Sequence, residues 1–140
     1  MPQIDIIHMA VRRALEKQGW RLVTEHLYLE EGGYSVYIDL ALERDDPDGQ
    51  GRVESVVVEV KSFIRSSFIN DFQDALGQYL VYQDQLEVRD DPRLLFLALP
   101  LEVFRAHFTQ PRIERMAQRY HLHLLVVDTY NEEVHQWIVN

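Results

Sequence analysis

The chain has 140 residues, 46% of them hydrophobic, a formal net charge of −9 and no cysteine. That length suits one ordinary domain with a real core. The charge argues against a protein that coats nucleic acid nonspecifically through Lys and Arg, and the missing thiols exclude disulfides and thiolate metal sites.

The start of the chain, Met1-Pro2-Gln3-Ile4-Asp5, lacks the basic-then-apolar pattern of a secretory signal. No uncharged apolar run nears the roughly 20 residues that a membrane helix needs, so a cytoplasmic protein with no membrane span is expected. The acidity is uneven: residues 25–59 hold ten acids and two bases, whereas residues 1–24 hold two acids and four bases. With no repeat, low-complexity tract or Pro/Gly/Ser linker, residues 1–140 are expected to form a single domain.

Residues 4–18 predict a first helix, with Ile7, Val11, Ala14 and Leu15 at helical spacing, His8, Arg12 and Glu16 opposite them, and Gly19 as the stop. Three strands are predicted at 20–29, 34–42 and 52–61, separated by the turn signals Glu31-Gly32-Gly33 and Asp45-Asp46-Pro47-Asp48-Gly49. Such short turns make an antiparallel meander. Ser66 and Ser67 can cap a second helix to about Glu87, with Phe68, Phe72, Ala75, Leu76, Tyr79 and Leu80 as its apolar stripe. Residues 94–99 are apolar at every position, which suits a strand buried on both faces, ended by Pro100. A helix at about 102–119, broken near Pro111, and strands at 122–128 and 134–139 complete the order αβββαβαββ, an α/β fold with a mixed sheet flanked by helices.

Strand alternation sets Val56, Val58 and Val60 on one face and Val57, Glu59 and Lys61 on the other. Asp39 lies in the equally apolar strand Val36-Tyr37-Ile38-Asp39-Leu40-Ala41-Leu42, and pairing of the two strands would let its carboxylate reach Glu59. Like charges in a partly dry site repel, so such a pair needs a proton, a cationic side chain or a metal between them. Oxygen ligands with open water positions suit Mg²⁺ or Mn²⁺. Lys61 beside them could orient an attacking water or neutralise transition-state charge, the chemistry of phosphodiester hydrolysis. The plainer reading is an ion pair of Lys61 with Asp39 or Glu59 at the end of a strand.

Asp on one apolar strand and Glu-x-Lys on the next, between two helices, resembles the PD-(D/E)xK nuclease superfamily. That resemblance implies a restriction endonuclease-like fold, although Ile38 stands where the family has its proline. Gln78 and Tyr82 resemble the Gln-x-x-x-Tyr motif of RecB-like nucleases, which implies a site role for Gln78. They share a helix face with Asp71 and Asp74, and a polar side of a half-buried helix explains them as well. His8, with Asp5 one turn earlier, holds the place where many relatives carry a first-helix Glu, so His8 is a candidate third metal ligand or a structural histidine.

More closely, the chain resembles the XisH family of cyanobacterial fdxN element excision controlling factors. The matching stretches are Asp5-Ile6-Ile7-His8, Gly19-Trp20, Tyr37-Ile38-Asp39-Leu40, Val58-Glu59-Val60-Lys61-Ser62-Phe63, Asp71 through Leu80 and Leu97-Ala98-Leu99-Pro100. The resemblance implies programmed excision of a DNA element during heterocyst development, with DNA, a site-specific recombinase and an XisI-type protein as partners, and leaves open whether the chain forms a homodimer. Two functions follow as expectations: a metal-dependent nuclease using Asp39, Glu59 and Lys61, or a non-catalytic regulatory factor that keeps the nuclease fold and binds DNA, the recombinase or the XisI partner.

Arg105, Arg112, Arg115 and Arg119 form the best basic patch for phosphate contact, though a solvated helix surface explains them more simply. His121 and His123 alternate and are read as surface histidines of an edge strand. No Gly-rich phosphate loop, nucleophile elbow or His-Glu-x-x-His is present.

Overall fold

The computed structural model describes residues 3–65 and 67–140, with side chains from Ile6 onward. Ser66 and the side chain of Asp5, both singled out in the sequence, lie outside the described residues.

Helix α1 (Gln3–Lys17) forms where apolar residues recur at helical spacing, and Gly19, in a left-handed conformation (φ 87°), takes the chain out of it. The next three segments are rich in apolar and β-branched residues and fold as the antiparallel meander β1 (Arg21–Glu31), β2 (Tyr34–Asp45) and β3 (Val53–Val60). Gly32 and Gly33 both have positive φ (60° and 83°), as the two-residue turn between β1 and β2 requires. β4 (Leu94–Pro100) and β5 (Leu124–Asp128) add in parallel to β3, and β6 (Glu133–Ile138) closes the mixed sheet antiparallel to β5. The six strands lie in sequence order.

Helix α2 (Phe68–Val88) crosses from β3 to β4, the connection a parallel pair needs. Ser67 is its N-cap, its side-chain oxygen accepting from the Asn70 N–H at 3.3 Å. Phe72, Ala75, Tyr79, Tyr82 and Leu86 pack with Ile38, Val57, Leu95, Leu97 and Leu99 in one apolar layer. On the other face Val11, Ala14, Leu15 and Trp20 pack with Leu40, Leu42, Val56, Val58, Phe96 and Ala98. β4 therefore feeds both layers, as its unbroken apolar run predicts. The Tyr79 hydroxyl donates to the Leu95 carbonyl (3.0 Å) and accepts from the His123 N–H (3.1 Å), fixing α2 along the sheet.

Two expectations need correction. The helix predicted at about 102–119 is three pieces: the short α3 (Leu101–Val103), a π-helical turn (Phe104–Phe108) and α4 (Pro111–Arg119). The break falls near Pro111 as expected, between Phe108 and Pro111, and Pro111 starts the last piece, where a first-turn position leaves its missing N–H without cost. The second concerns β5, which lies between β4 and β6, so His123 is not on an edge strand; its Nδ1 accepts from the Asn140 N–H at 3.0 Å.

The first helix is tied to the last hairpin. Arg13 pairs with Glu132 (2.8 Å), Lys17 donates to the Asn131 carbonyl (2.9 Å), and the Trp137 indole donates to Gln18 Oε1 (3.0 Å). No described helix is long and apolar enough to cross a membrane.

Candidate functional site

β2 and β3 pair from Asp45↔Val53 up to Leu40↔Val58 and then separate. The next rung would be Asp39 opposite Glu59, and there side chains replace the backbone ladder. The Asp39 N–H donates to Glu59 Oε1 (3.1 Å), and the Val60 N–H donates to Asp39 Oδ2 (2.8 Å). β3 meanwhile stays with β4, since the Lys61 N–H donates to the Ala98 carbonyl at 2.9 Å. The strands thus fork at two carboxyl groups. β2 also switches faces there: Ile38 belongs to the layer under α2, whereas Leu40 and Leu42 belong to the layer under α1. Regular alternation would have kept all three on one face. On β1, the position opposite Asp39 is His26, left out of the pairing and held in a left-handed conformation (φ 54°).

Glu59 is 7% exposed. Burial, and secondarily the adjacent Asp39 carboxylate, push its carboxyl up from the ordinary 4.5 to about 8, against the pull of Lys61. The Lys61 amine sits 3.7 Å from Glu59 Oε2. Burial also raises the Tyr82 phenol, with further contributions from Glu59 and Asp39.

Asp39, Glu59 and Lys61 line a cleft of about 660 Å³, with His8, His26 and Gln78 on its walls. His8 Nε2 lies 3.4 Å from Glu25 Oε1, which also accepts from Arg12 (3.2 Å), so His8 shares the cleft but is partnered at its rim. Gln78 Oε1 is buried, and among the described residues no donor reaches it. Asp71 and Asp74, expected on the same helix face as Gln78, both accept from the guanidinium of Arg65, in the loop that follows Lys61. Phe63, in that loop, has a left-handed backbone (φ 55°) and stacks with Phe68.

A family model described as XisH protein matches residues 1–135. The chain belongs to the XisH family. Two solved structures agree with that membership. An XisH family protein from Nostoc punctiforme is 36% identical over 96% of this chain and 99% of its own, with a TM-score of 0.86. An fdxN element excision controlling factor protein from Anabaena variabilis is 33% identical over 96% of this chain and 98% of its own, also with a TM-score of 0.86. Among curated proteins nothing matches.

In this XisH-family chain the structure brings Asp39, Glu59, Lys61, His8 and Gln78 to one cleft. Arg105, Arg112, Arg115 and Arg119 are exposed and none of them lines it. His26 and Arg65 escaped the sequence reading. Arg65 carries a weak signal, a lone base four residues after Lys61 and ahead of a helix turn with two acids. The left-handed kink that brings in His26 has no local marker, since neither Gly nor Pro stands near it.

Among the described residues no three His, Asp or Glu side chains are grouped closely enough to hold a metal ion. The donor set nevertheless suits a hard divalent ion, because Mg²⁺ commonly takes one or two carboxylates and keeps waters elsewhere. A cation between Asp39 and Glu59 would also offset the burial and, secondarily, the repulsion that hold a proton on Glu59.

Proposed function

We propose that this chain is a DNA element excision controlling factor that acts as a divalent-metal-dependent nuclease of the PD-(D/E)xK, restriction endonuclease-like type, hydrolysing phosphodiester bonds of DNA during programmed site-specific excision. The observation that carries this reading is the fork. Two carboxyl groups meet where β2 leaves β3, beside the Lys61 amine and in an open cleft. The name of the Anabaena variabilis relative supports the excision context.

In this reading Asp39 and Glu59 hold Mg²⁺ or Mn²⁺, with His8 able to join them on leaving Glu25. When bound, the ion supplies Lewis-acid stabilisation of phosphoryl charge and lowers the pKa of water. Glu59 must give up its proton to bind, so burial sets the pH at which the site becomes competent. Lys61 orients the attacking water or neutralises charge on the phosphoryl oxygens, and Gln78 offers its unpaired carbonyl oxygen to water or substrate. DNA, a site-specific recombinase and an XisI-type protein are the partners.

Calorimetric titration with Mn²⁺ of the wild type, Asp39→Ala and Glu59→Ala tests the site: both variants lose at least about tenfold in affinity. Unchanged binding in both would remove the metal from the proposal. A cleavage assay on supercoiled and branched DNA follows, in which Lys61→Ala folds normally and loses activity. Full residual activity would remove Lys61 from the mechanism.

A second reading, a regulatory factor that keeps the nuclease fold, is favoured by the charge. The chain carries −9, and Arg65 at the cleft mouth is already held by Asp71 and Asp74. Mn²⁺ binding with no cleavage of either DNA would select it.

A further inference from the structure

The fork has a second consequence, on the side of β2 away from β1. β1 and β2 remain paired to the hairpin tip, through Leu27↔Ile38, Leu29↔Val36 and Glu31↔Tyr34, whereas β3 has left β2 by Leu40. In an antiparallel pair the residues flanking a two-residue turn direct their backbone groups at each other, and the direction alternates thereafter. Tyr34, Val36 and Ile38 therefore point at β1, and Ser35, Tyr37 and Asp39 point away. The Asp39 N–H confirms this sense, since it reaches Glu59 on the β3 side. Ser35 and Tyr37 have no strand beside them on that side, and among the described residues no hydrogen bond outside the ladders takes up their N–H or C=O groups.

An open edge is normally blunted by Lys, Pro, a bulge or an inward charge, because unpaired strand groups recruit other chains. Tyr34-Ser35-Val36-Tyr37-Ile38 has none of these: it is uncharged and rich in β-forming residues. A groove of about 460 Å³ runs along this edge, with Ser35, Val36 and Tyr37 on one side and Gly77, Gln78 and Val81 of α2 on the other. Tyr34, Tyr37 and Val81 are 78%, 58% and 55% exposed, a concentration of apolar surface where one uncovered strand would fit. The unpaired carbonyl oxygen of Gln78 borders both this groove and the cleft.

We propose that this edge is a docking site for a basic extended segment of a partner protein, which adds to the sheet as the strand that β3 fails to supply. Charge selects the occupant. Glu30 and Glu31 precede this edge at the hairpin tip and Asp84 follows Val81 on α2, all three exposed, while Arg89 already donates to the Glu30 carbonyl and Arg65 is held by Asp71 and Asp74. A nucleic acid strand or a second acidic copy of this chain would meet like charge; a lysine-bearing strand meets complementary charge and gains main-chain hydrogen bonds. Gly77 leaves the α2 wall low, with nothing within 4 Å of where its side chain would begin. The proposal stands on backbone pairing and does not depend on the nuclease reading.

The test uses a short fluorescent peptide of alternating lysine and valine and the full chain. Fluorescence anisotropy reads binding, and hydrogen exchange reads protection of the Ser35 and Tyr37 amides. The wild type binds the peptide and protects both amides. The same peptide N-methylated on alternate residues keeps its charge but cannot pair, and binds at least about tenfold more weakly. Ser35→Pro removes an outward-facing donor without touching the β1 ladder, and Val81→Lys puts a like charge in the groove; each weakens binding by about tenfold or more. Equal affinity for the N-methylated peptide, or no protection of Ser35 and Tyr37, overturns strand addition. Tighter binding of a single-stranded oligonucleotide that competes for the groove overturns the protein partner. Dimerisation by ultracentrifugation that Val81→Lys abolishes would make a second copy the occupant and overturn it equally.

Discussion

The two halves of the β2–β3 pair are built from neighbouring residues and do opposite things. From Leu40 to Asp45 the strands are zipped to Val53–Val58 by backbone hydrogen bonds, and Val57 and Val58 are fully buried between helices. One residue further, at Asp39 and Glu59, the zip stops and two carboxyl groups supply the bonds. The closed half shows what the sheet does with apolar side chains at that depth. The open half shows the cost of placing acids there, a Glu that holds its proton to about pH 8. A protein interior tolerates such a group where backbone N–H donors and a cation already face it.

Moving the acid by one residue is the strongest way to break that contrast. Val58→Asp puts a carboxylate at a position with 0% exposure and apolar neighbours. The burden is about 4 kcal/mol or more, a large share of the roughly 5–15 kcal/mol that holds a domain together. The variant is expected to lose its cooperative urea transition by circular dichroism, and a native-like transition would refute the contrast.

The next largest effect is pH-dependent. Glu59 releases its proton at about 8 in the folded chain and at about 4.5 unfolded, so between those values the folded state binds more protons. Wild-type stability from this group is therefore fully present below pH 4.5 and falls as pH rises to about 8, by an amount on the order of a few kcal/mol. Glu59→Gln removes that slope and is more stable than the wild type at pH 8. Parallel stability curves for the two proteins would show that Glu59 is not the buried acid described.

The smallest effect separates burial from repulsion. Asp39→Asn keeps a side-chain oxygen for the Val60 N–H but removes the neighbouring charge, so the Glu59 pKa falls yet stays above 4.5, because burial is the larger cause. Carboxyl-carbon NMR follows it directly. A full return to the ordinary value would make Asp39, and not burial, the main cause.

Much of this arrangement can be read from residue order. Short turns force β1, β2 and β3 into a meander, which brings the strand of Asp39 beside that of Glu59; the register that sets the two opposite each other, one step beyond Leu40↔Val58, comes from the structure. The alternation Val57, Glu59, Lys61 likewise anticipates one shared face. What resists reading is the place where pairing ends. It coincides with a left-handed residue at His26 and with side-chain bonds from Asp39 and Glu59 that replace the ladder, neither of which a local pattern encodes. In the region after β4 the break near Pro111 is legible, and the π turn before it is not. Phe104 and Phe108 keep helical spacing, yet the π turn that joins them is set by stacking of Phe68 on His107, 3.9 Å between ring centroids, and by Phe108 packing against Phe63 and Phe72. The arginine at 65 needed the third dimension too, because its partners come from the next helix.

The ties between the first helix and the final hairpin bear on how the molecule is made. As the chain leaves the ribosome, helix α1 emerges more than a hundred residues before Glu132, Asn131 and Trp137, which fasten it through Arg13, Lys17 and Gln18. Those ties cannot form until that hairpin has been made. Nascent chains stalled short of residue 130 should accordingly remain open to protease at the first helix while the β1–β2 hairpin and helix α2 already resist it.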